Sequence, residues 1–422
     1  MRILFCADTF PGRFGALAAG FAADGHEVFF ASHYGRRDFS IPGVHRVLFK
    51  PVRPPRVDKA LPGEAARAEW SRTLLASRYA SDAFAAMRKN GFIPDMVVFS
   101  GSSGAALHLS CAFPESVLLG FADAQPARAS REAEEVAQLR LRASLAQSHA
   151  CFAFSEQHLR GIPPLLRREA SLLPLAVDTD FFSPESAQPF VLEGQDFKDK
   201  KLVTIDLYSS AAAASRELWN LCAGMLAHRA EVFLLLSCSS PEVCEVAANI
   251  ARSLPESWLS RIVVQEFKSL HTWRDMLCAS TLHLCPEVIA GAAPRSEIVE
   301  AMSCGTVLVL PEAAARVLDD FLGGFSCTSD HAGADLGMRE GDLSSYLLSL
   351  PATNTEERLA TLCRAIDDAP LCTLLKKNSR MIIIRKFSEK LTVPQQKQCL
   401  LEAWQRWKQR ERCRTFYEKD MI

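Results

Sequence analysis

Residues 2–31 read RILFCADTFPGRFGALAAGFAADGHEVFFA, four elements in succession. Arg2–Cys6 is a short apolar run of the kind a buried parallel strand uses. Ala7–Gly15, with Pro11, Gly12 and Gly15, reads as a loop. Ala16–Ala23 is helical in composition, and Asp24-Gly25 gives the stop. His26–Ala31 is the next strand. Strand, loop, helix and strand in this order are a βαβ unit, which places the first pair of strands parallel in one sheet.

The pattern recurs along the chain. Met96–Phe99 is followed by Gly101-Ser102-Ser103-Gly104 and a helical stretch, Ser116–Gly120 is a strand, and residues 134–147 form a helix. Cys151–Phe154 is a strand before a short helix capped by Ser155, and Ser171–Pro174 is a brief strand. Residues 188–201 are charged and weakly periodic, as a linker would be. A second series then runs through strand Leu202–Leu207, helix Glu217–His228, strand Val232–Ser237, helix Val243–Ser253, strand Ile262–Gln265, helix Thr272–Ser280 and strand Leu282–Cys285. It ends on residues 295–310, RSEIVEAMSCGTVLVL, which read as helix, glycine stop and buried strand. The fold class is α/β, with two parallel-sheet domains. Their expected limits are 1–187 and 188–395, with a helical C-terminal segment, 396–422, that packs back on the first domain.

With 422 residues, 48% of them hydrophobic, the chain is long enough for two large cores. Lys and Arg total 48 against 49 Asp and Glu, a net charge of −1. That balance gives no reason to expect nucleic acid as a partner. The 14 cysteines are dispersed, with no C-x-x-C pair, and read as buried free thiols of a reducing compartment. The N-terminal apolar run is too short for a signal peptide, and no stretch approaches the roughly 18 apolar residues of a membrane span. A cytoplasmic protein is expected.

In open parallel sheets ligands bind beyond the carboxyl ends of the strands. Four loops are therefore candidates: 7–15, 100–104, 207–216 and 287–296. Gly12 lies between strand and helix, where a glycine admits close backbone approach to an anion; a plain turn is the other reading. Ser102 and Ser103 offer hydroxyls to a phosphate or sugar, or simply cap a turn. A helix starting at 294–296 presents unpaired N–H groups, and Arg295 beside them suits a diphosphate. Glu297 and Glu300 share one face; acids there hold ligand hydroxyls or merely offset the helix dipole. No Ser-His-Asp order and no His/carboxylate metal cluster stands out.

The order of elements, FPGRFGALAAGFAADGHEV at 10–28, VDTDFFSP at 177–184 and EIVEAMSCGTVLVLPE at 297–312 resemble the retaining nucleotide-sugar glycosyltransferases of family 4, in particular a subgroup whose first loop reads Phe-Pro-Gly-Gln-Phe. The resemblance implies a GT-B fold, two Rossmann-like domains facing across a cleft, the first for the acceptor and the second for the donor. It implies that Glu300 holds the nucleotide ribose hydroxyls, that Arg295, Ser296 and Glu297 lie near the diphosphate, and that Gly12 and Arg13 face the donor phosphates. No cofactor or protein-bound metal is expected. Positive charge and backbone dipoles stabilise the leaving diphosphate while an acceptor hydroxyl attacks on the same face.

The chain departs from the pattern at three places. Ala292 stands where the family usually has a glutamate, eight positions before Glu300. In 207–216, LYSSAAAASR, no cation precedes Arg216, and Ser210 is nearest to the missing first arginine. The N-domain histidine is absent, with Asp123 the closest polar candidate. Asp123 and Arg216 are thus the expected catalytic pair, Arg216 also gripping the donor, while Gly101, Ser102 and Ser103 face the acceptor. The partners expected are a nucleotide-sugar donor and a glycan, lipid-linked or protein hydroxyl. The competing reading is a glycosyltransferase-like protein that has lost catalysis and serves as a binding or regulatory partner. An epimerase of similar architecture needs an acid/base set that the sequence does not display. Trp404, Trp407 and Phe416 alternate with Arg406, Lys408, Arg410, Arg412 and Arg414. Such a helix either packs its aromatics on the fold or lies on an anionic membrane surface.

Overall fold

The computed structural model describes residues 1–35, 39–50, 52, 63–123, 131–192, 194–197, 200–266, 269–286, 296–323, 343–352 and 354–419, with backbone alone at 157, 320, 323, 343 and 412–419. The chain divides into two compact units, residues 1–176 with 389–422, and residues 177–388.

The first unit is built on a parallel sheet of β1 (Arg2–Phe10), β2 (Glu27–Gly35), β3 (Val44–Leu48), β4 (Met96–Ser100), β5 (Val117–Ala122), β6 (Ala150–Ala153) and β7 (Ser171–Leu172), in the order β3-β2-β1-β4-β5-β6-β7. The order reverses between β1 and β4, the switch point at which open sheets take their ligands. β1 outruns the apolar stretch that announced it. Residues 7–10, expected as loop, continue the ladder to Thr9↔Tyr34 and Phe10↔Gly35. Burial of Phe10, its ring edge-on to Phe30 at 5.0 Å, holds the extension in place. β4 and β5 are buried at every position, as strands covered on both faces must be.

Among the described residues before the second unit, the helices are α1 (Gly15–Ala23), α2 (Glu64–Lys89), α3 (Leu109–Ala112), α4 (Arg131–Ala146), α5 (Glu156–Gly161) and α6 (Pro164–Arg167). α2 and β3 went unread in the sequence. The buried face of α2 is made of Ala68, Thr73, Ala76, Ser77 and Ala80 before it reaches Phe84, so its stripe is small rather than apolar. It also buries Glu69, paired with Arg140 of α4 at 2.6 Å.

The second unit opens with a two-stranded antiparallel ribbon, β8 (Val191–Leu192) and β9 (Gln195–Asp196). Phe190 and Phe197 flank it and are buried, so the stretch expected as a linker is anchored within this unit. Its sheet comprises β10 (Lys201–Leu207), β11 (Val232–Cys238), β12 (Ile262–Glu266), β13 (Leu282–Leu284), β14 (Val307–Pro311) and β15 (Leu348–Leu350), all parallel, in the order β12-β11-β10-β13-β14-β15. The switch point lies between β10 and β13. Its helices are α7 (Ser210–Ala213), α8 (Arg216–His228), α9 (Pro241–Ala251), α10 (Glu256–Leu259), α11 (Leu270–Ala279), α12 (Ser296–Ser303), α13 (Glu312–Gly323), α14 (Thr355–Asp367) and α15 (Ala369–Phe387).

α12 stops where the sequence says it should. Gly305 has φ +65°, its N–H bonds Met302 O at 3.0 Å, and Thr306 N bonds Ala301 O at 3.1 Å. These two bonds are the paired closure of a glycine-ended helix. The 177–184 loop braces this end: Ser303 Oγ donates to Phe182 O (2.7 Å), and Arg380 Nη1 donates to Ser303 O (2.5 Å).

The last helix, α16 (Glu389–Lys419), returns to the first unit. Its Lys397 pairs with Asp24 at 2.6 Å, Gln396 donates to Pro174 O, and Val393 meets α1 at Gly20. Trp407 packs on the His149 ring at 4.6 Å, so this aromatic is used by the fold. Among the described residues no helix is long and apolar enough to cross a membrane.

Candidate functional site

In the first unit the carboxyl ends of β1, β4 and β5 gather a polar group. Gly12 adopts φ +50° at the start of a 3-10 turn, a backbone that favours glycine, and Arg13 follows with its guanidinium 5.7 Å from the Phe154 ring. Asp123, just past β5, accepts from Ser100 Oγ at 2.5 Å and from Ser102 N at 3.1 Å. Burial raises its pKa, against the lowering pull of Arg13 and of the Ser100 and Ser102 hydrogen bonds. Ser103 is fully buried, donates to Asp8 Oδ1 at 2.6 Å and accepts from Ala105 N. Gly101 is a glycine for packing reasons: a Cβ there would stand 2.9 Å from Leu141, Leu145 and Phe121 O.

Three members of this edge were not singled out in the sequence, although Asp8 and Ser100 lie in the candidate loops 7–15 and 100–104. Asp8 was hidden by the underestimated length of β1. Ser100 closes β4. His158, on α5, is buried with no hydrogen bond to either ring nitrogen, and burial, reinforced by the charge of Arg13, pushes its pKa down to about 3.

In the second unit Ser215 caps α8 and Arg216 is its first, exposed residue. The 207–216 stretch, expected as a loop, carries α7, capped by Ser209 and sealed by Trp219 Nε1 donating to Ala213 O at 2.7 Å. Arg295 and Ala292 lie outside the described residues. Ser296 begins α12 and donates to Glu297 Oε2 at 3.1 Å. Glu300, half-buried on the next turn, accepts from Trp273 Nε1 at 2.9 Å.

On the other side of Trp273 from Glu300 lies a buried cluster that no motif in the sequence displayed. Asp206, His283 and Cys285 are 2%, 0% and 5% exposed, and their donor atoms all lie within 4.8 Å of one another. Thr204 pairs with His283 in the β10–β13 ladder, which sets Asp206 beside Cys285 two residues on. His283 Nε2 lies 3.2 Å from Asp206 Oδ2, and its Nδ1 is 2.7 Å from Thr204 Oγ1. Burial opposes a charge on His283, but Cys285 and Asp206 outweigh it and push its pKa up to about 10. The Trp273 ring stands edge-on to His283 at 5.6 Å, linking the cluster to Glu300. The only sequence signal was polar residues at alternate positions on two apolar strands.

Residues 24–125 match the sequence profile of the Glycosyl transferase family 4 group. No curated protein sequence matches the chain. Among solved structures, α,α-trehalose 6-phosphate synthase from Burkholderia multivorans is similar at TM-score 0.64 and 12% identity, over 97% of this chain and 98% of that one. Sucrose-phosphate synthase from Thermosynechococcus elongatus gives 0.63 and 14%, over 95% and 99%. Anabaena HepE, solved in complex with UDP-glucose, gives 0.61 and 13%, over 95% and 100%. The fold of the chain, two Rossmann-like parallel-sheet units with a helical C-terminal segment, is that of the GT-B glycosyltransferases.

Proposed function

We propose that the chain transfers a sugar from a nucleotide-diphosphate donor to a hydroxyl acceptor, with retention of anomeric configuration and without a metal ion in the transfer step. The observation that carries this reading is Glu300, a carboxylate on α12 past the carboxyl edge of the second sheet, oriented by the Trp273 indole. A carboxylate fixed in this way suits a pair of ribose hydroxyls. In the second unit Arg216 and Arg295 offset the diphosphate charge, with Ser296 and Glu297 on the donor side; in the first unit Gly12 and Arg13 offer an anion an open turn and a cation. Asp123 contacts the reacting sugar or the acceptor, and Ser102 lies on the acceptor side. The free thiols of the described residues suit a cytoplasmic site of action.

Titration calorimetry with nucleoside diphosphates and their sugars tests the assignment. Hydrogen bonds to a charged group contribute about 1.5–3 kcal/mol, so Glu300→Ala is expected to weaken nucleotide binding about 10- to 100-fold in a chain that still folds, with a melting temperature lowered by the loss of the acceptor for the buried Trp273 N–H. Equal affinity in the variant removes Glu300 from the site.

One observation favours a second reading, a binding protein that has lost catalysis. Where the family resemblance asks for a first arginine after β10, this chain folds Ser210–Ala213 into α7. Nucleotide binding without transfer or donor hydrolysis would select that reading.

A further inference from the structure

We propose that Asp206, His283 and Cys285 form a binding site for a borderline-soft divalent cation, Zn²⁺ being the natural occupant, at the switch point of the second unit's sheet. The inference does not depend on glycosyl transfer.

Three observations carry it. First, the donor set is of the right kind: a carboxylate, an imidazole and a thiol are the three side chains that bind zinc, and the thiol selects against Mg²⁺ and Ca²⁺. Second, the donors are already gathered. Ligands about 2.0–2.3 Å from a tetrahedral ion stand about 3.3–3.8 Å apart. Here the donor atoms lie within 4.8 Å of one another, with His283 Nε2 at 3.2 Å from Asp206. Rotamer adjustments of a few tenths of an ångström to an ångström close that set. Third, His283 is aimed and backed. Its Nε2 is fully buried and turned toward the other two donors, 3.2 Å from Asp206 Oδ2. Its Nδ1 is held by Thr204 Oγ1 at 2.7 Å, and Thr204 is in turn 3.0 Å from Ser280 Oγ. A support behind the second ring nitrogen is what fixes a metal-binding imidazole.

The charges balance. A bound divalent ion takes the imidazole neutral and the thiol as thiolate, so its uptake releases protons to solvent, and one carboxylate and one thiolate then offset its two charges. Three protein ligands leave one coordination position for water. Such an ion would tie the ends of β10 and β13 together behind Trp273.

The test uses the untagged full-length chain, stripped with chelator and titrated with Co²⁺ as a spectroscopic stand-in for Zn²⁺. One equivalent is expected to bind, with visible d–d absorption of a four-coordinate ion and a near-ultraviolet thiolate-to-cobalt band. Zn²⁺ should displace it and raise the melting temperature by several degrees, while Mg²⁺ does neither. Cys285→Ser should abolish the thiolate band and weaken Zn²⁺ binding about 100-fold, and Asp206→Asn should weaken it about 10-fold with the band retained. Cys111→Ser, at an exposed thiol, should change nothing. Absence of the cobalt bands in the wild-type chain overturns the proposal whether or not the variants fold. So does a thiolate band that survives Cys285→Ser or disappears with Cys111→Ser.

Discussion

At the scale of single residues the first unit holds a histidine that resists its own charge. His158 has no hydrogen-bond partner for either ring nitrogen, is buried and faces the charge of Arg13. Its pKa falls from 6.5 to about 3 in the folded chain, first by burial and then by Arg13. Below about pH 6.5 the unfolded chain takes up a proton that the folded chain refuses, so this residue's contribution is intact above that pH and is lost as pH falls towards about 3. At pH 5 the loss amounts to about 2 kcal/mol. Urea denaturation at pH 7 and pH 5 checks this. The wild-type chain should lose about 2 kcal/mol more than His158→Gln over that interval, and equal losses would show that the ring is protonated in place. Asp123, close to the same arginine, shifts the other way, because for a carboxylate burial penalises the ionised form.

At the scale of elements, packing decides what the sequence left open. α1 is Gly15–Ala23, a helix so rich in Ala and Gly that its faces hardly differ, yet one position is committed. A Cβ on Gly20 would lie 2.5 Å from Val393 Cγ1 of α16. Gly20→Ala should therefore loosen the C-terminal helix, costing about 1–3 kcal/mol, and Val393→Ala in the same chain should restore much of it. Hydrogen exchange along α16 reads the effect, and faster exchange in Gly20→Ala with no recovery in the double variant would place the strain elsewhere. The strand–helix alternation itself was legible, because strands buried on both faces read as unbroken apolar runs and several helices end at glycine. α2 was not, since its core face is alanine, serine, threonine and a paired Glu69. The site divides in the same way. Gly12 and Ser102 were named as candidates from their place after strands, and Arg13, Asp123 and Glu300 from what the family resemblance implies. Asp206, His283 and Cys285 come from strands far apart in sequence, and only the pairing of β10 with β13 brings them together.

At the scale of the whole molecule, the chain threads its two units unequally. Each has its own sheet and core, but the first is completed only by the last thirty or so residues, after the second has been built. α16 contributes Val393, Leu400 and Ala403 as buried side chains and ties Lys397 to Asp24. A chain ending at Ser388 should therefore keep the second unit and lose the first. Removing these contacts exposes the apolar surface of α1, and the loss of several buried side chains, at about 1.5–3 kcal/mol each, is comparable to the whole stability of a domain. Tryptophans report on the two units separately in the truncated chain: Trp70 lies in the first, and Trp219, Trp258 and Trp273 in the second. Limited proteolysis of the 1–388 chain should degrade the segment before Val177 and leave a resistant fragment beginning near it, in which Trp219 and Trp273 remain buried. A truncated chain that resists cleavage throughout residues 1–176 would mean that the first sheet and α1–α6 suffice without α16. Cleavage inside 201–284 as fast as inside the first unit would mean that the two cores do not fold independently.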